Sequence, residues 1–317
     1  MLHSKKYLAI ATLIGLMSIS AIITPSYADR GNPRLKDIAA KKWAEQNLQD
    51  QDENATNSSK EGFYVRGKGK SHQETLGDRT YIVYTPPAAS LPRTGNIPLL
   101  IVLHGGFGRA AQIQHYIGLD PLADKYGFII AYLDGTPVAR RLSAKREGWN
   151  AGGCCGQPET NNVDDVGFIR SSIAAIHEKY GIDPAQVYGT GHSNGGMMTQ
   201  RILCETTLYK EGVSISGTLQ MERKTCPAAK GKHIVDIHGA QDENLPVAGG
   251  HGPKAINKKT DYKSQAHTKA VFEASGATYQ LILLDGATHK PETINAALIK
   301  TKGKTLPQEI IDVLGLD

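Results

Sequence analysis

The sequence predicts an α/β domain built on a mostly parallel, doubly wound sheet with helices on both faces, and three observations predict it. From residue 80 onward, short runs of β-branched and aliphatic residues alternate with helical stretches, the order expected of parallel strands joined by crossover helices. Several of these runs are almost unbroken Ile, Val and Leu, as strands buried on both faces require. The chain has 317 residues, 40% hydrophobic and 21% charged, which suits one large core and excludes disordered, collagen-like and coiled-coil classes.

Strands are expected, in order, at 80–84, 98–103, 128–133, 186–190, 212–216, 233–238 and 279–284, where Ile, Val, Leu and Tyr dominate. Helices are expected at 163–180, 195–205, 264–274 and 291–300. Asp164 and Asp165 stand at the start of the first helix, where acidic side chains complement the helix dipole. In a sheet of this class chemistry sits at the carboxyl ends of the strands, so the loops that follow them hold the candidate residues. No internal repeat interrupts the pattern.

Residues 1–28 read as a secretory signal, with Lys5 and Lys6 before an apolar run and Ser26-Tyr27-Ala28 as a cleavage site. Export to a secreted or periplasmic location is expected, without stable membrane association. Residues 29–72 read as an N-terminal helix, with Leu35, Ile38, Ala39 and Trp43 on one face, followed by a polar linker. Residues 73–317 form the main domain. The formal charge of +5 includes the two lysines of the leader; the excess left is too weak for nucleic-acid binding. Export permits disulfides, and Cys154, Cys155, Cys204 and Cys226 allow three full connectivities. Because a bridge between adjacent cysteines strains the backbone, bonds from Cys154 and Cys155 to Cys204 and Cys226 are the expected arrangement.

Gly191-His192-Ser193-Asn194-Gly195 matches G-x-S-x-G, with a strand before it and an apolar helix after it. That context is what a sharp turn presenting a nucleophilic serine needs. A serine hydroxyl must be activated by a base that a carboxylate orients, and in this chain order the acid precedes the histidine. Asp242 follows the strand 233–238 and His289 follows the strand 279–284, so Ser193, Asp242 and His289 are the candidate catalytic residues. Glu243 is a second candidate acid. Asp236 and His238 lie within a strand and read as structural, while His251 and His267 come too early in chain order.

Leu103-His104-Gly105-Gly106 follows a buried strand, as oxyanion-binding loops do. Gly106 N–H and Asn194 N–H are the expected oxyanion donors, with Phe107 N–H in reserve. His104, Trp149, Asn150 and His192 are expected to line the substrate pocket, with Trp149 equally readable as a core residue behind the cysteines.

Together, His104-Gly105-Gly106, the run from Trp149 to Gly156 (WNAGGCCG), the run from Val163 to Phe168 (VDDVGF), Gly191-His192-Ser193-Asn194-Gly195-Gly196 and His238-Gly239-Ala240-Gln241-Asp242 resemble the polyhydroxybutyrate depolymerase family of esterases, relatives of feruloyl and acetyl xylan esterases. The resemblance covers about 73–289. It implies an α/β-hydrolase fold, a triad of Ser193, Asp242 and His289, and hydrolysis of a small, oligomeric or polymeric ester of hydroxybutyrate, feruloyl or acetyl type, with no cofactor and no metal. The chain departs from the family pattern after His289, where Lys290 and Pro291 replace an aromatic and a proline, and in the acid loop, where no tyrosine precedes Gly249-Gly250. A silent polymer- or carbohydrate-binding protein and a serine peptidase are the alternatives on the same fold.

Overall fold

The computed structural model describes residues 65–93, 95–138, 146–255 and 260–317, all within the unit Ser58–Asp317. The expected signal, the helix carrying Trp43 and most of the linker lie outside the described residues.

The apolar runs form the strands. β1 (Lys70–Leu76) and β2 (Arg79–Thr85) make a hairpin whose turn holds Gly77 at φ 64°, a conformation that glycine adopts at no steric cost. β3 (Ile97–Leu103), α1 (Ala110–Ile117), α2 (Asp120–Tyr126) and β4 (Ile129–Leu133) follow. A short ladder, β5 (Thr136–Pro137) with β6 (Glu147–Gly148), and the single turn α3 (Gln157–Thr160) precede α4 (Asp165–Tyr180). The chain continues through β7 (Ile182–His192), α5 (Asn194–Glu205), β8 (Glu211–Ile215), β9 (His233–Gly239), α6 (Gln265–Glu273), β10 (Thr278–Leu284), α7 (Pro291–Lys302) and α8 (Leu306–Leu314).

The main sheet runs β1-β2-β4-β3-β7-β8-β9-β10, parallel from β4 to β10 and antiparallel at β1 and β2. In β3, Leu99, Ile101 and Leu103 join one core and Leu100 and Val102 the other, so the strand is buried on both faces. The first core is covered by α4, α5 and α6 through residues such as Ile169, Met198 and Phe272. The second is covered by α1, α7 and α8 through Ile113, Leu298 and Ile310. This is the α/β-hydrolase architecture. Strand order reverses beside β3, where β4 lies on one side and β7 on the other, and such a switch point opens a crevice at the strand ends. The loops after β3 and β7 carry His104–Gly106 and Ser193.

Two expectations are corrected. The structure joins Cys154 to Cys155, across a cis peptide, and Cys204 to Cys226, rather than linking the adjacent pair to the distant cysteines. Cys204 at the end of α5 and Cys226 have Cα atoms 4.5 Å apart, within the range a disulfide spans. Asp164 caps α4 by accepting from Gly167 N–H at 2.8 Å, as expected of a helix start. Asp165, in contrast, is fully buried and pairs with Arg79 at 2.7 Å, so it braces the interior.

Candidate active site

The serine turn is built by steric exclusion. Ser193 links β7 to α5 with φ 56° and ψ −119°, a region that costs a non-glycine residue about 1–3 kcal/mol and persists only where surrounding structure enforces it. Its N–H donates to Ile215 O at 2.8 Å. A Cβ placed on Gly195 would lie 2.2 Å from Leu103 O, and one on Gly191 would lie 2.5 Å from the backbone of Gly195. Nothing larger than glycine fits either position.

Two further strand ends bring the partners. Asp242, in the turn after β9, has its Oδ1 fixed by the N–H groups of Asn244 and Leu245, each at 2.8 Å. Oδ2 is left to face His289 Nδ1 at 2.7 Å. The loop after β10 is held over that turn because Gln241 N–H donates to Ala287 O at 2.9 Å. His289 Nε2 reaches Ser193 Oγ at 2.9 Å. The structure therefore brings Ser193, His289 and Asp242 into one hydrogen-bonded line, with His289 only partly exposed. Burial alone would raise the pKa of Asp242, but hydrogen bonds from His238 and His289 outweigh it and hold the carboxyl well below the ordinary carboxylate range. Glu243, the second candidate acid, is exposed and pairs with Lys254. His251 bonds Thr260 O at 2.9 Å, away from this line.

The loop after β3 lies against the serine turn. A Cβ placed on Gly105 would stand 3.5 Å from Ser193 Cβ, and one on Gly106 would stand 3.8 Å from Asn194 Cβ. Phe107 N–H is occupied by Glu147 O at 2.7 Å, whereas Gly106 N–H and Asn194 N–H find no acceptor among the described residues. Two free donors beside a serine hydroxyl can receive a developing oxyanion.

His192 is partly exposed at the serine turn, and its Nε2 donates to His289 O at 2.9 Å. Desolvation and the adjacent His289 push its pKa down to about 3, so it serves as a neutral donor. The other three residues expected to line the pocket do not. Trp149 is 0%, His104 1% and Asn150 3% exposed, so they present no surface to a substrate. Trp149 instead ties two loops together: its backbone N–H donates to Asn194 Oδ1 at 2.7 Å, Asn194 Nδ2 donates back to Trp149 O at 3.1 Å, and its indole N–H donates to His104 O at 2.9 Å. Asn150 is anchored by N–H donation to Asp165 Oδ2 at 2.7 Å, and Arg79 beneath it stacks 3.6 Å from the Phe168 ring. Of the two readings of Trp149, the core residue is the one found, and the bracing that joins it to His104 and Asn194 has no signal in the local sequence.

Among the described residues, His104, Asp134 and Glu147 are the one buried group spaced to hold a metal ion. His104 Nε2 already accepts from Gly135 N–H at 3.0 Å, and Arg109 Nε stands 3.7 Å from Asp134 and 3.5 Å from Glu147. The guanidinium supplies the positive charge there. Burial and the neighbouring Asp134 push Glu147 up to about 7.

Residues 79–210 match the family model described as Esterase PHB depolymerase. NocK of Nocardia uniformis subsp. tsuyamanensis, named as an esterase, is 30% identical over 54% of this chain and 47% of its own length. Feruloyl esterase B of Piromyces equi is 29% identical over 48% of this chain and 27% of its own length. The chain thus spans less than half the length of these curated relatives. The acetyl xylan esterase from Aspergillus awamori superposes with a TM-score of 0.51 at 17% identity, covering 78% of this chain and 100% of that one, a likeness of fold. The matched segment runs from β2 to the residue before β8, so this part of the chain is similar to the Esterase PHB depolymerase family, and the sheet order around it is that of an α/β-hydrolase fold.

Proposed function

We propose that this protein is a serine-dependent carboxylic ester hydrolase. The observation that carries the reading is the pair of hydrogen bonds at His289, 2.9 Å to Ser193 Oγ and 2.7 Å to Asp242 Oδ2. Asp242 accepts the Nδ1 proton, which leaves the Nε2 lone pair facing the serine. As Ser193 Oγ attacks the ester carbonyl carbon, its proton passes to His289 Nε2, and Gly106 and Asn194 N–H groups receive the oxyanion. The tetrahedral centre collapses by expelling the alcohol, which takes the proton from His289. Water then gives a proton to His289 and attacks the acyl-enzyme, releasing the acid and restoring Ser193.

The relatives' names support an acetyl or feruloyl ester, or a hydroxybutyrate oligomer, as the reactant. We read the protein as exported, on the basis of its first 28 residues and of Cys204–Cys226, a bond that persists in oxidising compartments. The test compares p-nitrophenyl acetate with the matching anilide. The ester is expected to turn over at the higher kcat/KM, and preference for the amide would make the protein a peptidase.

The bracing by Trp149 makes a separate prediction. Trp149→Phe keeps most of the ring volume but removes the donor to His104 O, leaving a buried carbonyl unpaired at a cost of about 1–3 kcal/mol. The loop carrying Gly106 then loses one of its ties to the Trp149 segment, while Phe107 N–H keeps its bond to Glu147 O. A fall in kcat of about tenfold to a hundredfold, with KM nearly constant, is expected from the misplaced donor. Steady-state kinetics with thermal unfolding measures both, and an unchanged kcat in a destabilised variant would confine Trp149 to packing.

A further inference from the structure

Behind Asp242 lies a second histidine that the hydrolytic cycle does not use. His238, next to the end of β9, is fully buried. Its Nε2 stands 3.3 Å from Asp242 Oδ2 and 2.9 Å from Leu245 O. Its Nδ1 stands 2.9 Å from Oδ1 of Asp236, which is also fully buried. Asp236 and His238 come from β9, and Asp242 and the Leu245 carbonyl from the loop after it. Gln265 comes from α6, with Nε2 at 2.8 Å from His238 Nδ1, 2.9 Å from Asp236 Oδ1 and 2.8 Å from Gly217 O. Gln200 from α5 donates to Asp236 Oδ2 at 3.2 Å, and Tyr279 from β10 donates to Gln265 Oε1 at 2.6 Å. His289 and His192 lie on the far side of Asp242.

A neutral imidazole has one N–H and can serve only one side of this arrangement. Its other nitrogen would turn a lone pair on a buried carboxylate, a repulsive contact between groups closed off from bulk solvent. Gln265 does not remove the conflict, because its two N–H groups have Gly217 O and Asp236 Oδ1 as acceptors. An imidazolium donates in both directions and places one cation between two buried anions, the pairing that buried charges require.

We propose that His238 is a positioning residue for the triad, an imidazolium clamped between Asp236 and Asp242 that keeps Asp242 ionised and its Oδ2 aimed at His289. The proposal rests on the esterase reading for its kinetic consequence, though not for the protonation state itself. Burial on its own lowers the pKa of His238, but the hydrogen bonds and charges of Asp236 and Asp242 raise it to about 10, in agreement with the geometry. By sharing Oδ2, the cation also takes up part of the carboxylate charge that His289 would otherwise meet alone.

The direct test is 15N NMR of the ring-labelled wild-type protein, with His238 assigned by its loss in His238→Gln. Both ring nitrogens are expected at imidazolium shifts from mildly acidic to mildly alkaline pH. A singly protonated neutral ring would overturn the proposal, and this readout stands even if no ester is hydrolysed. In kinetics, His238→Gln leaves Asp242 without the cation behind it, so the acid limb of kcat/KM is expected to move to higher pH by about one unit. A folded variant with an unmoved limb would count against the proposal. Should His238→Gln fail to fold, Asp236→Asn replaces it: the His238 ring then titrates at lower pH than in the wild type, and identical titration in the two proteins would contradict the clamp.

Discussion

Ser193→Ala is expected to lower kcat for ester hydrolysis by about 10⁴- to 10⁶-fold, the range seen when a triad nucleophile is removed and only binding and oxyanion donors remain. The substitution deletes a single atom, Oγ, whose described partner is His289 Nε2 at 2.9 Å. The backbone bond from residue 193 N–H to Ile215 O is unaffected, and the strained φ of 56° is enforced by the surrounding glycines rather than by the hydroxyl. The variant should therefore fold normally, bind substrate with little change in KM and fail in the chemical step. Burst kinetics on p-nitrophenyl acetate, with a matched unfolding curve, checks both halves. Wild-type turnover in the variant would remove Ser193 from the reaction.

Asp242→Asn should cost about 10⁴-fold in kcat through the wrong histidine tautomer. Asn244 and Leu245 N–H groups both point at the Oδ1 position, so the amide must place its oxygen there and its NH₂ toward His289 Nδ1. That nitrogen then accepts instead of donating, the proton moves to Nε2, and the lone pair that should receive the serine proton is lost. Stability responds too, and its sign is fixed by the depressed pKa. A carboxyl held below its ordinary value of 3.8 stabilises the fold above that value, and the contribution is lost as pH falls through the folded-state value. The gap in unfolding temperature between wild type and Asp242→Asn is thus expected to be full at neutral pH and to close in strong acid. A gap that widened in acid would contradict the assignment.

The parts of this site legible in the sequence are those governed by backbone rules. Gly191 and Gly195 mark the turn because no Cβ fits, and Asp242 and His289 could be placed because each follows an apolar strand whose carboxyl end must open on the same edge. Of the sheet, β1 escaped notice because it is exposed at the edge and polar in composition. α1, α2 and α8 escaped because two are a pair of turns long and the last, though apolar on one face, follows no strand. What composition could not convey was direction. Trp149, Asn150 and His104 lie close to the serine turn along the fold, yet their side chains point into the core. His238 read as an ordinary strand residue, and it is one in backbone terms. Its chemistry arises only because the turn at Asp242 folds the carboxylate back over the strand that precedes it, a tertiary contact with no local signature.

The central claim is that Ser193 Oγ is made nucleophilic by His289. A fluorophosphonate probe reads this most directly, since it bonds covalently only to an activated serine. Mass spectrometry of the labelled protein is expected to find one adduct, on the peptide carrying Ser193, with loss of ester turnover in step with labelling and no adduct in His289→Ala. Full labelling that spares Ser193, or undiminished labelling without His289, would contradict the account.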